Sequence, residues 1–274
     1  MFWTRLASGV VLVILALLSM SLGGILLATI LLFISLIAFR ELTRAMQVAK
    51  DKQKVNGLEI VGFIGILLYY AAVYFSGTQE LLLMCIVGVF MAELFVYVIA
   101  YPKFQADQVS AALFSFLYAP VMLAFVYLTR IGSSGIYMVW MILISAWGSD
   151  TCAYVVGKLI GKKKIFPQLS PKKSLEGCIG GVLGAAFIGA LYGFFFVESA
   201  IPEQRVAWII AFICAVGSIM SQVGDLAASA IKRNHNIKDY GNLIPGHGGI
   251  MDRFDSMIVT APMIYFLTIL MINF

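Results

Sequence analysis

The sequence has little charge for its length. Only 12% of its 274 residues are Asp, Glu, Lys or Arg, and 61% are hydrophobic. Soluble domains have about 25% charged and about 45–50% apolar residues. A chain of this size could not bury so much apolar surface in a core, so the composition excludes a soluble enzyme. The apolar residues occur in runs of about 20, which is the length that spans a bilayer, and we predict an all-α polytopic membrane protein.

Cysteines and nucleotide-binding signatures are also scarce. The four cysteines, Cys85, Cys152, Cys178 and Cys214, stand singly in or beside apolar runs, without a CxxC pair. This spacing argues against a disulfide framework and against a thiolate metal site, so we interpret them as small packing residues. No GxxxxGK[ST] sequence occurs, and any nucleotide is therefore not held by a P-loop.

The apolar runs divide into nine predicted membrane helices. Residues 6–39 carry no charge and are too long for one span, so we expect two short helices that turn at Gly23-Gly24. A cleaved signal peptide is the alternative for this region, because Ser19-x-Ser21 resembles a small-x-small cleavage site. The other seven spans are predicted at 60–76, 81–100, 110–129, 136–156, 178–197, 205–224 and 256–273.

These helices are predicted to form one integral membrane unit with two parts. Residues 1–130 would supply about five N-terminal helices without a catalytic motif. Residues 131–274 would supply the C-terminal helices that carry the polar motifs on the cytoplasmic side.

The basic residues fall on one side of this map. Of the 19 Lys and Arg residues, 17 are Arg5 or lie in or beside the predicted loops at 40–56, 101–109, 157–177 and 225–255. Only Arg130 and Arg205 fall on the other side. The positive-inside rule then places the N-terminus in the cytoplasm and the C-terminus outside, in the plasma or inner membrane. Topology and phosphate chemistry explain the net charge of +5, and no nucleic-acid partner is predicted.

The richest polar segment runs from Gly224 to Asp255. It contains four Asp residues and both histidines of the protein. Asp225, Ser229 and Lys232 follow at spacings of four and three, so one face of a helix end would present a carboxylate, a hydroxyl and an ammonium group.

A second helix is predicted to enter the membrane with two carboxylates on one face, Asp252 and Asp255. Before it, the turn at residues 245–249 contains Pro245, His247, Gly248 and Gly249 and cannot continue a helix. Its glycines would let backbone N–H groups approach an anion closely. Paired carboxylates beside such a turn and several lysines are typical of a Mg²⁺-triphosphate site. An interfacial network of ion pairs is the alternative.

The loop at 157–177 contains a second polar motif, Ser170-Pro171-Lys172-Lys173-Ser174-Leu175-Glu176-Gly177. Pro171 stops any helix, Lys172 and Lys173 are available for phosphate, and Glu176 lies near the start of the next helix. This pattern resembles an anion-binding turn. We interpret the preceding lysines, Lys162 to Lys164, as determinants of topology.

Two carboxylates are predicted at membrane depth. Asp150 shares a helix face with Tyr154 and Lys158, and a carboxylate at this depth is by default a functional hypothesis. Glu93 stands alone among apolar residues, so we expect a structural or interface hydrogen bond there.

Two further patterns are interpreted as structural. The loop at 40–56 begins with Arg40, Glu41 and Arg44 on one helical face and is expected to be a solvated helix end at the lipid headgroups, without chemistry. The seventh span has small residues at helical spacing, which predicts close helix packing, within the chain or across a dimer. These residues are Gly177, Gly181, Gly184, Gly189 and Gly193.

The pattern from Ser229 to Asp255 resembles the signature of one enzyme family. It reads S-x-I-K-R-x4-K-D-x-G-x2-I-P-x-H-G-G-I-x-D-R-F-D, and it is similar to that of the phosphatidate cytidylyltransferases, also called CDP-diacylglycerol synthases. The motif at 170–177 resembles the upstream motif of the same family, which often has Thr at the position of Ser174 and Trp at that of Leu175. Length and hydropathy agree with this resemblance along the chain.

The resemblance implies an enzyme that takes CTP and phosphatidic acid and gives CDP-diacylglycerol and pyrophosphate, with membrane lipids around it. It implies Mg²⁺ as the cofactor, and a second cation is possible. Whether the protein forms a homodimer is left open. Divalent metal would lie on Asp225 and Asp252, with Asp255 and Asp150 as supports. Phosphate binding is implied for Lys172, Lys173, Ser229, Lys232, Arg233, Lys238, His247, Gly248 and Gly249, and Lys172 also counts among the catalytic candidates. A CTP-dependent lipid kinase and a transporter of an anionic substrate are the alternatives.

The predicted topology can be tested by labelling from the two sides of the membrane. Single cysteines at positions 162 and 134, in a cysteine-free background, replace Lys162 on the basic side of the map and Ser134 on the other. A membrane-impermeant reagent should label them from opposite sides. Labelling of both from the same side would contradict the charge-based map.

Overall fold

The computed structural model describes residues 2–49, 54–201, 206–243 and 248–272, with side chains from residue 9 onward. Within these ranges the regular elements are helices, and a single β-bridge joins Lys164 to Ser174. The predicted all-α class is confirmed. Predictions that involve Lys50, Lys52, Arg205 or His247 lie outside the described residues.

Twelve α-helices follow one another along the described chain. They are α1 (Phe2–Leu22), α2 (Gly24–Ala45), α3 (Gly57–Phe75), α4 (Gln79–Ile99), α5 (Ala106–Phe116), α6 (Met122–Ile131), α7 (Gly135–Met138), α8 (Trp140–Leu143), α9 (Ser149–Ile160), α10 (Leu175–Tyr192), α11 (Val206–Asn234) and α12 (Met251–Ile272). Three π-helical turns join or extend them, at Leu117–Val121, Ile144–Gly148 and Gly193–Val197. The first of these contains Pro120, which has no N–H for the helical hydrogen-bond ladder.

Eight helices of the described chain, counted with their π-helical turns, are long and apolar enough to cross a membrane. They begin with α2 and end with α12, and the stretches 106–131 and 135–160 each count as one. The described apolar part of α1, Gly9–Leu22, is shorter. A polytopic helical membrane protein is thus confirmed, with eight such helices where nine spans were predicted. The orientation of the termini stays a prediction.

The chain divides into two compact units, and the first contains residues 1–128 and 231–254. Its core is built from large apolar side chains of α2, α3 and α5, among them Phe39, Ile66, Tyr69 and Phe116, all 0–1% exposed. A Cβ atom at Gly62 would collide with the ring of Phe39, so glycine is needed for this packing of α2 on α3.

The end of α2 corrects the expectation for residues 40–56. The helix continues to Ala45, and Arg40 forms an ion pair with the fully buried Glu59. Thr43 also donates a hydrogen bond to Glu59, with 2.8 Å between Oγ1 and Oε1. Glu59 in turn completes a capping box with Asn56 at the start of α3. The prediction of a solvated helix end was wrong for Arg40 and for the buried Glu41, whereas Arg44 is exposed as expected.

The second unit contains residues 129–230 and 255–274, and α9 packs closely against α10 in it. A Cβ at Gly177 would lie 2.9 Å from the carbonyl oxygen of Ala153, and one at Gly181 would lie 3.0 Å from Ser149 Oγ. Gly189 approaches Cys214 of α11 in the same way. The predicted close packing of the glycine stripe is confirmed within the chain.

Candidate active site

Two carboxylates and one ammonium group meet in the second unit. Lys173 Nζ lies 2.6 Å from Asp225 Oδ2, and the carboxyl group of Asp150 interacts electrostatically with both residues. The three side chains come from the loop before α10, from α11 and from α9. Asp150, Lys173 and Asp225, which belong to separate motifs of the sequence, therefore form one charged cluster. We call it the Asp150 cluster.

Backbone hydrogen bonds shape the loop that carries Lys173. The carboxylate of Glu176 accepts hydrogen bonds from the backbone N–H groups of Lys162 and Lys163, at 3.1–3.2 Å. The N–H of Leu175 donates to the carbonyl oxygen of Lys163 at 2.8 Å. Ser174 caps α10 by accepting the N–H of Gly177 at 3.2 Å. The two lysine-rich stretches of the loop are thus held side by side.

Lys164 has a role beyond topology. It forms the isolated bridge with Ser174, and its Nζ donates a hydrogen bond to the carbonyl oxygen of Lys172 at 3.1 Å. The interpretation of Lys162 to Lys164 as purely topological residues is therefore too narrow for this lysine, because its ammonium group lies beside the predicted anion-binding turn.

A cavity of about 460 Å³ opens beside the Asp150 cluster. Along α9 it is lined by Asp150, Tyr154 and Lys158, which confirms that these residues share one helix face. Four lysine side chains line it in all: Lys158, Lys164, Lys172 and Lys173. A cavity with several ammonium groups and one carboxylate is suited to an anion with many negative charges, such as a triphosphate.

Buried polar contacts hold α11 in register beneath this cavity. Ser218 Oγ donates to Ser149 Oγ of α9 at 2.7 Å, and Gln222 Nε2 donates to the carbonyl oxygen of Cys178 on α10 at 3.1 Å. A Cβ at Gly224 would lie 2.7 Å from the carbonyl oxygen of Asp255, so glycine permits the close approach of α11 to α12. The position of Asp225, the next residue, depends on these contacts.

The first unit contains a second cluster, centred on Asp252. Its Oδ1 lies 2.7 Å from Lys232 Nζ, and its Oδ2 accepts the backbone N–H groups of Tyr240 at 2.8 Å and Gly249 at 3.1 Å. Only 3% of the Asp252 side chain is exposed. Lys232 also lies 5.4 Å from the centre of the Tyr240 ring, a cation–π contact. Asp252 therefore ties the segment between α11 and α12 to the end of α11.

The remaining predicted site residues have varied surroundings. Gly248 has a φ of +85°, which favours glycine, and its neighbour Gly249 uses its N–H for Asp252. Asp255 is buried, and its Oδ1 accepts the N–H of Ser256 at 2.8 Å. Ser229 is half-buried on α11, whereas Arg233 and Lys238 are exposed. Phosphate binding by the glycines and by these polar side chains, and metal binding by Asp255, stay predictions.

The described residues contain no group of three or more His, Cys, Asp or Glu side chains that could hold a metal ion. Metal binding by Asp225, Asp252 and Asp255 as one set stays a prediction. In the second unit, Lys173 pairs with Asp225 and lines the same cavity as Asp150, whose carboxyl group interacts electrostatically with both residues. This arrangement fits Mg²⁺, which typically takes one or two carboxylates and completes its shell with phosphate oxygens and water.

Glu41 has a structural role that its sequence context does not predict. Its carboxylate accepts two backbone N–H groups at the start of α12, although the sequence indicated no chemistry for this residue. No local signal could have identified it, because Glu41 is flanked by Arg40 and Arg44 and its partners lie 209 and 210 residues away. The hydrogen bond expected for Glu93 is not found among the described residues, where both of its carboxylate oxygens are buried without a partner.

The comparisons with known proteins point to one family. A model described as "Cytidylyltransferase family" matches residues 3–271. The phosphatidate cytidylyltransferase of Staphylococcus saprophyticus is 31% identical over 247 residues, which are 90% of this chain and 91% of that protein. That of a Staphylococcus aureus strain is 32% identical over the same shares of the two chains. That of Bacillus subtilis is 37% identical over 143 residues, 52% of this chain and 51% of that protein.

The lysine-lined cavity generates a prediction about Lys172 and Lys173. Changing both to Gln should weaken CTP binding at least about 10-fold, because each hydrogen bond to a charged group contributes about 1.5–3 kcal/mol. Equilibrium binding of radiolabelled CTP to the purified protein would measure the loss. The matched control is Lys162→Gln with Lys163→Gln in the same loop, where the backbone amides make the described contacts. An equal loss in the two double variants would contradict a special role for Lys172 and Lys173.

Proposed function

The chain belongs to the cytidylyltransferase family, and from this premise we infer that it transfers CMP from CTP to phosphatidic acid. The products are CDP-diacylglycerol and pyrophosphate, so the protein is a membrane-embedded nucleotidyltransferase of phospholipid biosynthesis. The observation in the structure that best supports this function is the cavity in which Lys172 and Lys173 lie beside Asp150. The cavity offers positive charge for a triphosphate. It also offers a carboxylate that can bind a metal ion together with the phosphates.

The chemistry requires positioning and charge neutralisation more than it requires a protein nucleophile. An oxygen of the phosphatidate phosphate is already negatively charged at neutral pH. It forms a bond to the α-phosphorus of CTP while the bond from this phosphorus to the β-bridging oxygen breaks, and pyrophosphate leaves with the electron pair. The ammonium groups of Lys164, Lys172 and Lys173 would bind the phosphates and stabilise the charge that develops during in-line attack.

We propose that Mg²⁺ is held by Asp150 and Asp225 and neutralises charge on the triphosphate. Without a cation, these carboxylates would repel a substrate with about four negative charges. Lys173 partners Asp225 in the structure, and its ammonium group would then be available to phosphate. Asp252 and Asp255 stay further predicted ligands, and a second cation stays an open part of this proposal.

The location of the reaction is also a proposal. The excess of lysine and arginine around the polar motifs supports a cavity that faces the cytoplasm, in the plasma or inner membrane. CTP would then enter from the cytoplasm and phosphatidic acid from the adjoining leaflet. A homodimer stays an expectation from the sequence, and the glycine stripe that suggested it packs within the chain.

The fate of the nucleotide phosphates tests the proposed reaction. Purified protein in mixed micelles with phosphatidic acid receives CTP labelled with ³²P at either the α or the γ position. We expect the α label in the lipid fraction and the γ label in pyrophosphate. Transfer of the γ label to lipid would instead identify a CTP-dependent lipid kinase and contradict the proposal.

The proposed metal site predicts that Asp150→Asn and Asp225→Asn each lower activity at least about 100-fold, because the amide keeps the shape but binds Mg²⁺ weakly. The same loss is expected for Asp252→Asn, which removes the charge partner of Lys232. Added Mg²⁺ should raise the thermal unfolding midpoint of the unchanged protein but not that of the Asp150 and Asp225 variants. The control is Asp107→Asn at an exposed position of α5. Equal Mg²⁺ stabilisation of all variants would contradict this assignment.

A further inference from the structure

The carboxylate of Glu41 lies at the start of α12, although it belongs to α2 at the other end of the sequence. Glu41 Oε1 accepts the N–H of Ile250 at 3.1 Å, and Oε2 accepts the N–H of Met251 at 2.8 Å. The side chain is 6% exposed. Both oxygens of a buried carboxylate are thus used on two consecutive backbone amides, 209 and 210 residues away in the chain.

These amides need a partner from outside the helix. The first N–H groups of an α-helix have no acceptor within the helix, and α12 begins at Met251 after Ile250, which has no side-chain oxygen to act as a cap. A carboxylate from α2 supplies the acceptors instead. Its negative charge also lies at the positive end of the helix dipole, where it is stabilising.

Asp252 is the next residue of α12, and its carboxylate accepts a hydrogen bond from the same stretch of backbone. Its Oδ2 accepts the N–H of Gly249, so the three successive amides of residues 249–251 are all held by carboxylates. Asp252 Oδ1 remains for Lys232. The direction of the Asp252 side chain therefore depends on a backbone that Glu41 holds in place.

Two glycines of the family-like pattern are explained by Glu41. A Cβ at Gly241 would collide with Glu41, whose side-chain atoms are its three nearest neighbours, and one at Gly249 would lie 2.5 Å from Glu41 Oε2 and 2.7 Å from the backbone nitrogen of Gly241. Glycine at both positions makes room for the carboxylate. This requirement is independent of phosphate binding.

We propose that Glu41 is a positioning residue for the reaction: it binds the backbone at residues 250–251 and thereby orients Asp252 towards Lys232. It touches no reacting atom. The catalytic consequence rests on the proposed function, whereas the structural consequence, ordering of the residues before α12, does not.

The first experiment measures the protection of backbone amides and does not depend on enzymatic activity. Hydrogen exchange of the amides at residues 249–252 should be at least about tenfold faster in Glu41→Gln than in the unchanged protein, since a neutral amide group offers one acceptor where the carboxylate offers two. The control is Glu80→Gln, an exposed glutamate of α4. Unchanged exchange in Glu41→Gln would overturn the proposal whatever the protein catalyses.

The second experiment measures coupling in the CMP-transfer assay. Glu41→Gln should lower kcat about tenfold or more with a smaller change in the KM for CTP. In a background that already contains Asp252→Asn, it should cost less than about twofold, because residues that act through one another are not additive. Full additivity of the two losses would show a general structural role and overturn the positioning role. If the unchanged protein did not transfer CMP at all, the proposed function itself would be refuted.

Gly241→Ala provides an independent variant in case Glu41→Gln does not fold. It should displace the Glu41 carboxylate and reproduce the faster exchange and lower kcat, and it should add little to Glu41→Ala, where the colliding group is absent. The matched control is Gly88→Ala, because a Cβ there meets no atom within 4 Å. Wild-type exchange and kcat in Gly241→Ala would contradict the close fit on which the proposal depends.

Discussion

A carboxylate buried among apolar helices is costly unless a cation or N–H groups face it, and this constraint organises the polar parts of the protein. Asp252 faces Lys232 and Glu59 faces Arg40, and the half-buried Asp225 faces Lys173. Glu41 instead faces two backbone amides. In each case the partner comes from another helix or from a connecting segment, so satisfying the charge also fixes how that segment lies. The few charges of the chain thus shape its loops as well as its chemistry.

The same pairing of carboxylates with lysines orients positive charge for binding phosphate. A lysine that is already oriented by a carboxylate loses less side-chain freedom when it binds an anion, and Lys173 and Lys232 are both held in this way. The backbone of Lys162 and Lys163 is held by Glu176, and that of Lys164 by its bridge to Ser174. A phosphatidate oxygen needs no activation by a base, so oriented positive charge is the main contribution the protein has to make.

Sequence patterns predicted the features that depend on residues close to one another along the chain. The spacing of Asp225, Ser229 and Lys232 correctly indicated a helix, and the glycines of α10 correctly indicated close packing. The patterns did not predict the contact of Glu41 with residues 250–251, because nothing local to Glu41 indicates a partner 209 residues away. For the same reason Gly249 was interpreted through phosphate alone and Gly241 was given no role, because their fit around a carboxylate is visible only in three dimensions. Nothing in the structure explains the buried Glu93.

In the proposed reaction, the protein binds and orients its two substrates without forming a bond to either. The stereochemistry at the α-phosphorus tests this most directly, with CTP that carries sulfur and an oxygen isotope in a known configuration at that atom. A single in-line attack by phosphatidate predicts inversion of configuration in the CDP-diacylglycerol formed. Retention would require two displacements through a nucleotide bound covalently to a protein side chain, and would contradict the account.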